Sequence, residues 1–325
     1  MSPLKTKGGK TLTPTQMMLH DQDSSLLLVD KERPTAVYKM DLERGVVVQE
    51  WQTEGASSSC AGQFPISNLN PTSKHAQRTA SPLVMAHNTT SIFTIDGRLE
   101  GVQRVDQLTY TYGGTTKAVM TAMATTQDGH VVCGSADGSV RLFHKNALHT
   151  PKKDLLDRIP RAKSLLPGFG DPITAIDVTS DGHWVLATCD TYLLLIPTSA
   201  TPGSGLTGFS KALGASKPVP IMLRPRPEDI LTLGGTVRFR PARFNVSSGP
   251  EQERSIITAS GSFSLIWNFA QVVSHGARDA YTLKRFDDNV TVSQFAFDDD
   301  SKILVALADD VQLARRSRLQ PRKIF

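Results

Sequence analysis

Between Val119 and Ile196 short apolar runs alternate with polar breaks, and the same order occurs twice. The first copy runs Ala118–Met123, then Asp128-Gly129-His130 into Val131–Ser135, then Ser139–Phe143; the second runs Ile173–Val178, then Asp181-Gly182-His183 into Trp184–Thr188, then Tyr192–Ile196. Runs this short, rich in β-branched residues and bounded by polar turns, predict strands, and Asp-Gly between two of them predicts a tight hairpin. Three such strands make most of an antiparallel sheet that cannot bury its own apolar faces. A repeat of that kind needs neighbours on both sides, which points to the blade of a propeller.

The pattern continues in both directions. Leu26–Val29, Ala36–Met40 and Val46–Trp51 form one unit, and Leu83–Met85, Ser91–Ile95 and Gln107–Tyr112 a second. Further on come Thr236–Phe239, Ser255–Ala259, Phe263–Trp267 and Tyr281–Phe286, followed by Val290–Phe297, Ile303–Leu307 and Val311–Leu313. Six positions fit the end of the third strand, where WD40-type blades carry their Trp-Asp dipeptide: Met40-Asp41, Ile95-Asp96, Phe143-His144, Ile196-Pro197, Trp267-Asn268 and Ala314-Arg315. They are spaced more widely than the about 40–45 residues of an uninserted repeat. Insertions at 53–82, 145–170 and 199–235, rich in Pro, Ser and Gly or basic, account for the excess and read as surface loops. The last unit lacks a fourth strand, and residues 13–20, with Met17, Met18 and Leu19, are the expected closing strand, since pairing an open edge protects it from aggregation. The expected fold is therefore all-β: a WD40-like β-propeller of six or seven four-stranded blades over residues 13–314, closed by an N-terminal strand. Residues 1–12 are expected to form a basic flexible arm, and residues 315–325 a basic tail.

Several longer runs carry a more specific signal. Thr35–Gly45 with Val48–Trp51, Pro167-Gly168-Phe169-Gly170-Asp171-Pro172-Ile173, Asp181–Cys189, Tyr192–Ile196 and Ile266-Trp267-Asn268-Phe269 resemble the C-terminal WD40-like half of the vacuolar import and degradation twenty-seven family, to which the plant proteins named for defective embryo and meristems are related. The resemblance covers about Ser24 to Val311. It implies a cytoplasmic propeller acting in protein trafficking or turnover, with no active-site residues to carry across, and larger family members with an additional N-terminal half.

Composition adds boundaries. At 39% hydrophobic and 21% charged residues the chain has the balance of a soluble protein. It contains no apolar run of the length that spans a bilayer. The start, Met1–Lys10, is polar and lacks the apolar stretch of a signal peptide, so the expected location is the cytoplasm, with the nucleus as the alternative. Cys60, Cys133 and Cys189 are an odd, sparse set that reads as reduced thiols. Lys5, Lys7, Lys10, Arg315, Arg316, Arg318, Arg322 and Lys323 together outweigh the net charge of +5, which leaves the body net negative. A nucleic-acid-reading face on the body is thereby disfavoured.

Candidate chemistry is sparse. Gly203-Ser204-Gly205-Leu206-Thr207-Gly208 has the spacing of a dinucleotide fingerprint but sits in a Pro- and Ser-rich loop of a β-repeat chain, without the strand–turn–helix context that makes the spacing work. His130 and His183 follow Asp-Gly at matching repeat positions, where turn and packing roles are expected, and no His or Cys shows metal-ligand spacing. No catalytic, cofactor or metal residue is assigned. The loops joining second to third strands, and fourth to next-first strands, share one face of a propeller. Here they carry Asp30, Asp137, Asp171, Asp190, Asp287, Asp288, Asp309 and Asp310, while Asp128, Asp181 and Asp298–Asp300 occupy the opposite turns, so turn capping accounts for part of the pattern. The favoured reading is a non-enzymatic, monomeric scaffold whose partner-binding face includes Asp137, Asp171, Asp190, Asp287, Asp288 and Asp309 and receives basic segments of protein partners or of this chain's own Arg315–Lys323. The alternative is a hydrolase-type enzyme using the central mouth.

Overall fold

The computed structural model describes residues 4–55, 62–104, 110–111, 119–145, 162–199, 205–245, 253–296, 299–307 and 310–315. The chain divides into two compact units, one of residues 1–136 with 141–165, the other of 137–140 with 166–325.

In the first unit β1 (Pro14–His20), β2 (Ser25–Asp30), β3 (Ala36–Asp41), β4 (Val46–Gly55) and β5 (Gly62–Gln63) lie side by side in chain order. The second sheet orders β6 (Asn68–Pro71), β7 (Leu83–His87), β8 (Ser91–Asp96) and β10 (Tyr110–Thr111), whereas β9 (Gly101–Arg104) leaves it to run parallel to β4. The third is a meander of β11 (Met120–Thr125), β12 (Val131–Ser135), β13 (Val140–Phe143) and β14 (Ser164–Leu166).

Why β2 reads as an unbroken apolar run is visible in its packing. Leu27 and Val29 join Val37, Trp51, Phe93 and Ile95 in one cluster, while Leu28, between them, joins Leu12, Ala36, Tyr38 and Val47 in another. Side chains alternate across a strand, so burial on both faces needs every position apolar. Residues 4–12, expected as a flexible arm, fold back through a turn in which Thr6 N donates to Lys10 O, and Leu12 is buried against Leu28 and Tyr38.

In the second unit β15 (Ala175–Val178), β16 (Trp184–Thr188), β17 (Leu193–Pro197) and β18 (Ile221–Leu223) form one sheet. The next contains β19 (Arg243–Phe244), β20 (Ser255–Ser260), β21 (Phe263–Asn268) and β22 (Tyr281–Arg285), and β23 (Val292–Ala296), β24 (Asp299–Ala306) and β25 (Val311–Arg315) form the last. The two-sided logic recurs: Ile256, Leu265 and Trp267 pack toward Leu186, Leu195 and Phe244, and Ile257, Ala259 and Ile266 toward Ile303 and Val305. Between these sheets the Phe244 amide donates to buried Asp177 at 2.9 Å and the Ala242 amide to Thr188 at 3.0 Å. Among the described residues of this unit two short helices interrupt the strands, α1 (Pro227–Thr232) and α2 (Phe269–His275). Asn268, at the position of the Trp-Asp dipeptide, caps α2 by accepting from the Gln271 amide at 3.0 Å.

Four expectations are corrected. Residues 14–20 pair with β2, from Gln16 opposite Val29 to His20 opposite Ser25, so the N-terminal strand is the outer strand of the first sheet and the last sheet holds three strands among the described residues. The reason is local: Asp21, Gln22 and Asp23 adopt φ of 56°, 56° and 60° and turn the chain straight into β2. The described residues of the segment 53–82, expected as a surface loop, supply β5, β6 and a 3-10 turn at Ala76–Arg78. Likewise β14 and β18 arise inside the expected loops 145–170 and 199–235. Finally, β19 replaces Thr236–Phe239 as the first strand of its sheet; Pro241, lacking an N–H, breaks the run before Arg243.

Candidate functional site

A cleft of about 770 Å³ opens in the second unit between the Asp190-Thr191 turn and the connection from β18 to β19, lined by Asp190, Arg224, Pro225, Ile230, Val237 and Arg238 among others. Its walls follow from the sequence. Pro225 and Pro227 flank Arg226 and bar a strand, Pro227 opens α1, and Gly234 and Gly235, at φ of 96° and 81°, end it and send Thr236–Arg238 back along the rim. Phe239 N donates to Asp190 O at 2.7 Å, and Arg238 N to Ser260 Oγ at 3.0 Å, which hold that return segment against both neighbouring turns.

A buried polar network fixes the helix. Tyr281 Oη donates to Asp229 Oδ2, accepts from the Arg226 amide at 2.8 Å, and lies under the Arg226 guanidinium, whose Nε reaches Asp229 at 3.0 Å. Burial first, and the hydrogen bond to Asp229 second, hold the Tyr281 phenol above its ordinary range.

On the other wall Tyr192 is the organiser. Its hydroxyl donates to Asp171 Oδ2 at 2.7 Å, and the Arg224 guanidinium stacks over its ring at 5.3 Å. Stacking of this kind orients the planar fork while leaving its N–H groups free to donate. Burial raises the Tyr192 phenol, and burial likewise pushes the Cys189 thiol, beside the Asp171 carbonyl, up to about 11. Both groups are held in their protonated, unreactive forms at neutral pH.

Of the aspartates selected from the sequence, Asp137, Asp171, Asp190, Asp287, Asp288 and Asp310 are exposed in this unit but play different parts. Asp137 caps its own turn, accepting from the Ser139 amide at 3.0 Å and hydroxyl at 2.6 Å. Its neighbour Gly138 abuts Asp171, whose carbonyl would lie 2.9 Å from a Cβ added there, so these two aspartates are brought together. Asp190 lines the cleft with no hydrogen bond or ion pair from its carboxylate among the described residues. Asp288 caps the Asn289 amide at 2.6 Å, and Asp310 the Val311 amide at 2.8 Å. Asp287 is exposed beside Asp288, and Asp309 lies outside the described residues. Asp30, in the first unit, is buried and accepts from the Thr13 amide at 2.6 Å, which makes it a strand cap.

The two matched histidines do differ in detail. His183 N donates to Asp181 at 2.9 Å inside a turn closed by Thr179 and Trp184. His130 accepts from the Lys145 amide at 3.1 Å and packs on His144 at 4.8 Å; burial, then the His144 charge, lowers its pKa. Cys133 is buried, its thiol pushed up by desolvation, and Cys60 lies outside the described residues. Of the glycine fingerprint, Gly203 and Ser204 lie outside the described residues; Gly208 N donates to Thr198 O at 2.7 Å and Phe209 is buried, an anchored turn with no helix following. The cleft-lining residues the sequence reading passed over are Arg224 and Arg238. The runs Arg224-Pro225-Arg226 and Arg238-Phe239-Arg240 signalled them, hidden by a body that is net negative as a whole.

With the geometry in hand, comparison with known proteins identifies the lineage. Over 98% of its length the chain is 35% identical to vacuolar import and degradation protein 27 of Schizosaccharomyces pombe, and over 97% it is 33% identical to the protein of the same name from Saccharomyces cerevisiae. It spans 38% and 39% of those relatives' own lengths. Among solved structures it is similar to the β-propeller domain of Myceliophteria thermophila Cps50 (Swd1), with a TM-score of 0.58 at 11% identity, covering 94% of this chain and 84% of that one. A chain of a mitotic checkpoint complex gives 0.55 at 12% identity, covering 94% and 74%. The fold is a WD40-like β-propeller. Residues 1–323 match the family described as the VID27 C-terminal WD40-like domain, and the chain belongs to that family.

Proposed function

We propose that this propeller is a non-enzymatic scaffold whose protein partners dock on the loops that carry Asp137, Asp171, Asp190, Asp287, Asp288 and Asp309. The observation that carries this reading is the cleft: Asp190, Arg224 and Arg238 are exposed around it and form no ion pair with one another or with other described residues. Charges left solvated on a concave surface are available to a partner at little desolvation cost and set its orientation. The titratable groups beside the cleft support the same reading, since Cys189 and Tyr192 are shifted toward their inert forms, whereas a nucleophile needs its pKa lowered. In this proposal the acids of that face receive basic segments of the partner, and the role belongs to vacuolar import and degradation or protein trafficking on the cytoplasmic side. Among the described residues no helix is long and apolar enough to cross a membrane.

Affinity capture with the purified chain tests this. Partners retained by wild type and weakened by joint replacement of Asp137, Asp190 and Asp309 with Asn, at an unchanged melting temperature, support it. Turnover of a small ester or phosphoester by a chain that captures nothing would replace it with the hydrolase reading.

A further inference from the structure

The polarity of the cleft itself can be read more closely, on the basis of the scaffold reading above. Of the exposed turn acids of this unit, Asp171 accepts from Tyr192, Asp137 from Ser139 and Asp288 from Asn289, so their oxygens already serve the fold. The two arginines do not share that condition. Arg226, close by in sequence, is held by Glu228 and Asp229, but Arg224 meets only the Tyr192 ring, and the Arg238 side chain forms no bond among the described residues. Inside the cleft stand two guanidinium groups against one carboxylate, Asp190, with Pro225, Ile230 and Val237 as apolar wall. The volume, about 770 Å³, lies within the range of sites that enclose a ligand of many atoms and far exceeds what one ion requires.

We infer that this cleft is a docking site for an extended acidic peptide segment of a partner protein, with a Glu or Asp carboxylate held by Arg224 and Arg238 and an adjacent aliphatic side chain against Ile230 and Val237. A carboxylate takes two parallel N–H donors from a guanidinium, and a guanidinium stacked on a fixed ring loses little freedom in supplying them. The ring is fixed because its hydroxyl is held by Asp171, so Asp171 and Tyr192 are positioning residues for Arg224. Asp190, which also lines the cleft, repels a second carboxylate set directly beside the first, which favours acids spaced by apolar residues over a run of adjacent acids.

The test uses the full chain and a fluorescein-labelled peptide alternating glutamate and leucine, read by anisotropy. Binding is expected at low salt and to weaken as salt is added. Arg224→Ala and Arg238→Ala are each expected to weaken it about tenfold. Arg224→Lys should lose part of that, because the charge stays and the planar fork goes, while Arg44→Ala, on an exposed turn of the first unit, should change nothing. All the variants should melt with wild type. The glutamine version of the peptide should fail to bind. Equal binding of a lysine–leucine peptide, or indifference to both arginine variants, overturns the inference. So does a single-stranded RNA that binds more tightly through the same two arginines, which would assign the cleft to phosphate. If the peptide fails while partner capture persists, this inference falls alone; if wild type captures no partner, the scaffold reading falls first.

Discussion

The wall of the cleft can be tested by deleting one oxygen. Tyr281→Phe keeps the ring under Arg226 but removes the hydroxyl that donates to Asp229 and accepts from the Arg226 amide at 2.8 Å. Asp229 is 5% exposed and Tyr281 8% exposed, so water does not substitute for the lost group. A hydrogen bond to a buried charged acceptor contributes about 1.5–3 kcal/mol, and the stranded, half-buried amide adds about 0.5–1 kcal/mol. Arg226 stays on Asp229 at 3.0 Å and offsets part of the loss, giving an expected cost of about 2–3 kcal/mol. For a folding unit of this size that lowers the melting temperature by about 5–10 °C in a calorimetric or circular-dichroism melt. The same hydroxyl gives a pH signature. The Tyr281 pKa is raised above its ordinary 10.0, so the stability it contributes is fully present below that value and is lost as pH rises through the higher folded pKa. Wild type should therefore lose melting temperature in strongly alkaline buffer more steeply than Tyr281→Phe. A variant that melts within about 1 °C of wild type, with an unchanged alkaline slope, would show that the network does not hold α1, and the cleft's wall would need another support.

Other expectations follow from close contacts and burial. Gly168→Ala should cost about 3 kcal/mol or more in a denaturant melt, because its Cβ would lie 1.8 Å from the Gly138 carbonyl oxygen, whereas Gly45→Ala, with open space and φ of 65°, should cost about 1–2 kcal/mol; equal losses would refute the contact. His87 is fully buried with its pKa lowered by desolvation, so folding is favoured while it stays neutral, and stability should decline as pH falls below the ordinary 6.5 toward the depressed folded value; His87→Gln should flatten that acid slope in a pH series of melts. Cys133 and Cys189 should resist a thiol reagent in the folded chain and react on unfolding, and fast native labelling of either, located by peptide mass, would contradict their burial.

What was legible in the sequence was whatever two-sided burial wrote into consecutive residues. Leu27–Val29 and Val185–Ala187 are apolar at every position because alternate side chains enter different clusters or faces, and their strands stand where the pattern put them. The outer strands carried no such signal. β14 reads buried, exposed, buried over three residues, and β18 is buried only at Leu223, too little pattern to separate from a loop. The N-terminal strand was recognisable, but its partner was not, because the turn that delivers it to β2 is made by Asp21, Gln22 and Asp23 at positive φ with no glycine to announce it.

The cleft was hidden for a different reason. It depends on pairs far apart in the chain: Asp229 with Tyr281, 52 positions on, and Asp171 with Tyr192, 21 positions on. Charge counted over the whole body made an acidic face the natural expectation, and net charge is indeed a statement about long-range steering. Recognition at contact distance depends instead on which charges the fold has already used. Asp137, Asp288 and Asp310 are placed by the backbone capping that turns need, so the number of aspartates says more about turns than about partners. Arg224 and Arg238 have no such structural employment, and a long flexible cation held near a neutral ring rather than a carboxylate is maintained at the expense of side-chain entropy. That contrast makes the arginines, a minority charge in this body, the better guide to what binds there.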